Sequence, residues 1–358
     1  MVRKNKSNSK LENVLDAKSR DYYVIGETAY NHEGDFQYLC RMTDEIAELK
    51  LDAVKFHLLL NAESYLQKKH PLAEKIKKWM FTAEEWLEII DLAAKKGLEV
   101  IALCDDVESI DLILKKRVKV AGIELHMSSL NDYFMMKKLI GYNGIIILGI
   151  GGSTMDEIKY AVDFFRKNGR KKLLLMYGFQ NYPTNYEEIN IRKIATVEKK
   201  YKVPVGYADH TAFNNENNEL ISTAPYMAGV RIFEKHYTPE FGKERIDFQS
   251  AIGKDQFRKI SGYLDLFKKI SGDGSLKMSE AELKYGKIGP MKKAIVARRN
   301  IPGGKKIKLE DLWYKRTEEE VKLKQNQIFK LIGSTAAKDI AEDETVTLDK
   351  IRKLSKGR

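Results

Sequence analysis

Two histidines stand where short apolar runs end: His210 in Gly206-Tyr207-Ala208-Asp209-His210-Thr211, and His236 in Phe233-Glu234-Lys235-His236-Tyr237-Thr238. Val203 and Val205 precede the first, and Val230, Ile232 and Phe233 the second. They stand 26 positions apart, room for one helix and a return strand, the repeat of a parallel β/α unit, so the two rings can converge at one edge of a sheet. Neutral imidazoles are ligands for divalent transition metals, and a pair with open positions beside it suits a catalytic metal site. A pair of satisfied core histidines is the alternative the same residues allow.

Other reactive residues fall at comparable places. Glu27 ends an apolar run and is followed by Asn31, His32 and Glu33; Lys55 and His57 share a face, because strand side chains alternate. Lys55 interrupts Ala53-Val54-Lys55-Phe56, which is costly without an anionic partner. Further runs open into Cys104-Asp105-Asp106, Glu124 and His126, and Asn181 with Tyr182-Pro183-Thr184. Cys104 reads as a small buried residue before a nucleophile. Gly149-Ile150-Gly151-Gly152-Ser153-Thr154 precedes a helical stretch, where backbone N–H groups could cradle an anion, although no strict nucleotide motif is matched. Together these point to a metal-assisted site for a charged small molecule.

The elements that position them alternate. Strands are expected at Tyr23–Glu27, Ala53–His57, Leu98–Leu103, Gly122–His126, Gly144–Leu148, Lys172–Tyr177, Val203–Ala208 and Val230–Glu234. Helical spacing marks Leu39–Leu49, Ala83–Lys95, Met155–Lys167 and Tyr186–Lys199 between them. Eight strands with helical crossovers over about 250 residues indicate an α/β fold, a (β/α)8 TIM barrel, ahead of a doubly wound sheet. The expected organisation is a basic disordered tail at 1–20, the barrel at 21–275, a polar glycine-bearing linker at 276–290 and a compact module at 291–354.

Composition narrows the class. The 358 residues are 43% hydrophobic and 32% charged, enough for a sizeable core. The formal charge of +12 is uneven: residues 1–20 carry +4, residues 291–358 carry +8, and 21–290 balance to zero. Without a nucleic-acid-binding motif that distribution argues against a nucleic-acid partner. No apolar stretch is long enough to span a membrane. Two unrelated cysteines, Cys40 and Cys104, and no signal-peptide core fit a reducing cytoplasm.

Several motifs, taken in order, resemble the sialic acid (N-acetylneuraminate) synthase family. These are Gly26-Glu27-Thr28-Ala29-Tyr30-Asn31-His32-Glu33-Gly34-Asp35, Asp52-Ala53-Val54-Lys55-Phe56, Asp106-Val107-Glu108-Ser109, Tyr182-Pro183-Thr184 and the two histidine segments. Ala294–Arg298, Asp311–Arg316 and Ile332-Gly333 are similar to that family's C-terminal antifreeze-like (SAF) domain. The resemblance implies condensation of phosphoenolpyruvate with an N-acylated amino-sugar aldehyde, giving a nine-carbon 3-deoxy-2-ulosonic acid of sialic, legionaminic or pseudaminic type plus phosphate. It also implies Mn2+ or Mg2+ on His210 and His236, with reactive carboxylates at Glu27, Asp209 and Asp247. Substrate contacts are implied at Lys55, Asn181, Ser129 and the Glu124 position. Arg316 would reach a neighbouring barrel in a domain-swapped homodimer.

The sequence departs from the family pattern at the anion-binding positions. Glu124-Leu125-His126-Met127 stands where Lys-Ile-Gly/Ala-Ser is usual, and Gly149-Ile150-Gly151 where Ser-Thr-Gly is usual. Glu124 turns attraction for a phosphate into repulsion. Two alternatives follow: an aldolase, lyase or isomerase acting on a sugar derivative in the same barrel, or a catalytically inactive sugar-binding homologue.

Overall fold

The computed structural model describes residues 9–16, 19, 21–287 and 292–352. The chain divides into two compact units, Met1–Gly272 and Asp273–Arg358.

In the first unit eight parallel strands close into a barrel in sequence order. They are β1 (Tyr23–Glu27), β2 (Ala53–Leu58), β3 (Glu99–Cys104), β4 (Gly122–Leu125), β5 (Ile145–Gly149), β6 (Leu173–Gly178), β7 (Val205–Asp209) and β8 (Ile232–His236). Closure pairs β1 with β8, setting Glu27 opposite His236, while Glu27 also stands opposite Lys55 of β2. Alternation divides each strand between two environments. Val24, Val54, Phe56, Val100, Ile123 and Leu148 face outward and pack beneath the helices. Ile25, Ala53, Ile101, Ile147, Leu174 and Ile232 fill the lumen. Because β8 runs two residues beyond the expected Glu234, His236 is held by the ladder instead of a loop.

Two local expectations change. Part of the 1–20 tail is structured: Lys10–Val14 is a helix whose Leu11 and Val14 are buried against Tyr23, Ala53, Ile101 and Ile145 at the strand starts. Apolar residues three apart on a single turn suffice to plug that end, and Glu99 accepts the backbone N–H groups of Lys10 and Leu11. Residues 1–8, 17, 18 and 20 lie outside the described residues. The expected helix Tyr186–Lys199 is two helices, Tyr186–Ile189 and Arg192–Tyr201, separated by Asn190 at φ 46°. Asparagine tolerates that left-handed conformation, which ends the first helix.

The second unit begins with the helix Glu280–Lys287, inside the stretch expected to be a linker, of which residues 288–290 fall outside the description. Strands β9 (Lys293–Ala297) and β10 (Leu312–Arg316) pair antiparallel over a small core that includes Ile295, Ile307, Leu312, Leu331 and Val346. Among the described residues no helix is long and apolar enough to cross a membrane.

Candidate active site

Inward-facing positions at the C-terminal ends of the strands surround a cavity of about 350 Å3. Glu27 comes from β1, Lys55 and His57 from β2, Glu124 from β4, and Glu234 and His236 from β8. Asp105, His126, His210 and Asp247 enter from the residues that follow strands. All of those on β1, β2, β4 and β8 occupy one parity of their strand, so the pleat alone aims them together.

Glu27 is the centre of this arrangement. Its Oε1 meets His57 Nε2 at 2.7 Å and Lys55 Nζ at 3.2 Å, and its Oε2 meets His236 Nε2 at 3.1 Å. Burial would raise its pKa, but Lys55, His236 and His57 outweigh that and hold the carboxyl well below the usual range. His57 also approaches Asp105, with Nδ1 at 3.7 Å from Oδ2. Burial would lower its pKa, yet the neighbouring carboxylates of Asp105 and Glu27 raise it to about 10, so the charged ring is favoured at neutral pH.

Lys55 is enclosed by acids. Its ammonium lies 2.6 Å from Glu234, 3.2 Å from Glu27 and 3.3 Å from Glu124, and it is 2% exposed. Burial opposes its charge, but Glu124, Glu234 and Glu27 together raise its pKa. One cation does not balance three carboxylates. Burial therefore pushes Glu124 up, and pushes Glu234 well up with Glu27 adding to the effect.

On the other side of Glu27, the rings of His210 and His236 lie 5.0 Å apart, centroid to centroid. His210 Nδ1 is 3.0 Å from the Ala208 carbonyl, an arrangement that orients the ring and leaves Nε2 as a lone-pair donor. Burial and neighbouring His236 lower its pKa to about 3, keeping the imidazole neutral. His236 Nδ1 is buried without a hydrogen-bond partner among the described residues. A neutral ring and an unpartnered ring nitrogen suit a divalent cation. No group of three or more His, Cys, Asp or Glu among the described residues is placed to hold one, so the pair is what the protein offers.

Several residues expected at the site lie elsewhere. Asp209 has the opposite parity to His210 and faces away from the lumen. It pairs with Lys235 and accepts hydrogen bonds from Tyr207 (2.9 Å), Thr211 (2.7 Å) and Ser222 (2.9 Å). It positions the β7–β8 ladder and does not line the cavity. Asn181 is exposed and donates to Glu188, while Ser129 lies in a 3-10 turn after His126; neither lines the cavity. Arg316 is an exposed residue of β10 in the second unit. Of the glycine-rich turn, Gly149 and Gly151 do line the cavity, and close packing requires glycine there: a Cβ on Gly151 would lie 2.3 Å from the Gly178 carbonyl oxygen. The helix behind it, Met155–Lys167, is already capped by Thr154 and Glu157.

Glu234, Tyr30, Tyr65 and Phe179 line the cavity without having been singled out. Parity could have found Glu234, two residues before His236; the aromatic residues come from loops with no comparable signal. Of the reactive residues at the ends of β2, β3 and β4, His57, Asp105, Glu124 and His126 line the cavity, whereas Cys104 is buried in the outer core.

Comparison with known proteins agrees with this geometry. The NeuB family model matches residues 42–275 and the SAF domain model residues 292–352. The chain is 26% identical to an N,N'-diacetyllegionaminic acid synthase of Campylobacter jejuni, over 90% of this chain and 98% of that protein. It is 22% identical to the N-acetylneuraminate-9-phosphate synthase of Drosophila melanogaster, over 94% and 98%. A crystal structure of an N-acetylneuraminic acid synthetase from Leptospira borgpetersenii aligns with TM-score 0.66 and 26% identity, over 74% of this chain and 90% of that one. In fold alone, a spore coat polysaccharide biosynthesis protein E from Chromobacterium violaceum aligns with TM-score 0.79 and 19% identity, over 93% and 100%. The chain belongs to the NeuB family, a TIM barrel followed by a SAF domain.

Proposed function

We propose that this protein makes or breaks a carbon–carbon bond at the aldehyde carbon of an N-acylated amino sugar. The observation that supports this reading is the placement of Glu27, bonded to both His57 and His236, beside His210 in one cavity. Mn2+ or Mg2+ on His210 and His236 would supply Lewis-acid polarisation of the sugar carbonyl. Glu27, kept ionised, accepts a hydrogen bond from a sugar hydroxyl or water and orients it. His57, kept charged, donates through Nε2 and steadies that carboxylate. Asp247, which also lines the cavity, would accept from sugar hydroxyls.

In the family reaction the partner is phosphoenolpyruvate and the product is a nine-carbon sugar acid with release of phosphate. Arg316 of a second copy would then add a cation to the mouth, which makes a homodimer part of this reading. It is tested by phosphate release from phosphoenolpyruvate with a panel of N-acyl hexosamines. His236→Ala should lower the rate at least about 100-fold, and Arg316→Ala should raise KM for phosphoenolpyruvate. No release with any sugar would remove it.

One observation favours a second reading, an aldolase, lyase or isomerase using the same carbonyl without a phosphorylated partner. Lys55 is the one Lys or Arg among the described residues lining the cavity, and three carboxylates surround it. Turnover of a sugar aldehyde or sugar acid without phosphate release would support it.

A further inference from the structure

We infer that Asp105 is a positioning residue of the candidate active site: together with Tyr30 it holds the His57 ring so that Nε2 stays directed at Glu27. This rests on the carbonyl reading above, in which Glu27 orients a sugar hydroxyl or water.

Asp105 follows β3, and its backbone N–H donates to the Leu58 carbonyl at 2.9 Å, which ties it to the end of the strand that carries His57. It is 3% exposed and lines the cavity. Its Oδ2 accepts from the Tyr30 hydroxyl at 2.8 Å and lies 3.7 Å from His57 Nδ1, a charge contact instead of a closed hydrogen bond. The Tyr30 and His57 rings meet in a T shape with centroids 5.4 Å apart, so Tyr30 touches both the carboxylate and the imidazole. No scaffold contact uses up the rest of the Asp105 side chain, since Oδ1 has no hydrogen-bond partner among the described residues. Next along the chain, Asp106 is the opposite case. It caps a helix through the Ser109 N–H and accepts from the N–H groups of Leu60 and Asn61.

The chemistry of the ring explains what Asp105 adds. Nε2 meets Glu27 Oε1 at 2.7 Å and Nδ1 faces Asp105, so each ring nitrogen looks at a carboxylate oxygen. A neutral imidazole has one N–H and one lone pair and would turn the lone pair on one of them, whereas the imidazolium donates on both sides. Glu27 and Asp105 are the acids in salt-bridge range of the ring among the described residues. Other titratable groups act on it from further off. Lys55, on the same strand, shares Glu27 Oε1 with it; Glu124 and His126 face it from the end of β4, and His32 from the loop after β1. Burial keeps His126 neutral, with a pKa of about 4, and His32 likewise, at about 3. Glu27 is shared with Lys55 and His236, whereas among the described residues Asp105 meets no cation except His57. An asparagine at 105 would leave the ring free to be neutral, with nothing to fix which nitrogen carries the N–H.

The test is nitrogen NMR of the histidine rings in the full-length protein, joined to kinetics. The chain has six histidines, and His57→Gln identifies the signals of this one. In the unaltered protein both His57 nitrogens should carry protons at pH 8; a lone-pair nitrogen there overturns the inference even if no variant folds. Asp105→Asn should lower the His57 titration midpoint by about one to three pH units, and an unchanged midpoint overturns the inference. With a sugar aldehyde that is turned over, Asp105→Asn should lower kcat at least about tenfold and leave KM within about twofold, because Asp105 acts through His57 and not on bound substrate. The double variant Asp105→Asn with His57→Gln should be no slower than His57→Gln alone. Losses that multiply would give Asp105 a separate role and overturn the inference. If no sugar aldehyde is turned over, the carbonyl reading falls, and the nitrogen signals still decide the role of Asp105.

Discussion

Two lysines of the barrel are equally buried, Lys55 and Lys235 at 2% exposure each, yet they live in opposite electrostatic circumstances. Lys235 points outward from β8 into a one-to-one pair with Asp209, completed by the Thr211 carbonyl, with Tyr207, Thr211 and Ser222 filling the remaining acceptor sites of the carboxylate. Lys55 points inward from β2 at three carboxylates. The first cluster is balanced and hydrogen-bonded throughout, as a structural ion pair must be to offset desolvation. The second carries excess acid and unpartnered oxygens, which only a site reserved for something else tolerates. Burial by itself therefore does not distinguish scaffold from site in this barrel; charge balance does.

Asp209→Ala breaks the balanced pair from one side and should cost about 3–5 kcal/mol in chemical denaturation. Lys235 already has a pKa lowered by burial, and without Asp209 it is driven further down. The unfolded chain then binds more protons than the folded one, so stability of this variant rises with pH toward the ordinary lysine value of 10.5. Replacing both partners, Asp209→Leu with Lys235→Met, should recover most of the loss. No recovery would mean that the pair has a role beyond its own balance.

Lys55→Met removes the cation from the unbalanced cluster and should cost less, about 2–3 kcal/mol at pH 7, because the crowded carboxyls can take up protons. Their folded pKa values then stand above the unfolded value near 4.5. Such groups contribute stability at low pH and lose it as pH rises, so this variant should be closest to the parent near pH 5 and fall away above it. Opposite pH slopes for Asp209→Ala and Lys55→Met are the signature of the comparison; matching slopes would break it.

The barrel was legible because its strands are apolar runs at regular intervals with helical spacing between them, and strand ends shifted by only a residue or two. The pair His210 and His236, with Glu27, Lys55 and Glu124, was legible for the same reason: each sits at a strand end where side chains converge. Asp209, implied as a reactive carboxylate by the family resemblance, lies outside the cavity because neighbours in a strand face opposite ways and His210 takes the inward position. Three carboxylates around Lys55 could not be read along the chain, since β1, β4 and β8 bring them from positions 27, 124 and 234. Asn190 broke a helix that its apolar spacing continued, because a single left-handed residue leaves no periodic trace.

The slope most easily masked by neighbouring titrations concerns His57, which joins the unbalanced cluster to Asp105. Its folded pKa of about 10 lies above its ordinary 6.5, so the folded chain holds a proton that the unfolded one releases. The stabilisation is fully present below pH 6.5 and lost as pH rises through 10, with a slope of at most about 1.4 kcal/mol per pH unit. His57→Gln keeps a donor for Glu27 but cannot carry the charge. Its denaturation midpoint should be flatter than the parent's between pH 6.5 and 10. Equal slopes in parent and variant would show that His57 is neutral in the folded chain. The cluster would then be one positive charge poorer, and the excess of acid at the barrel floor larger still.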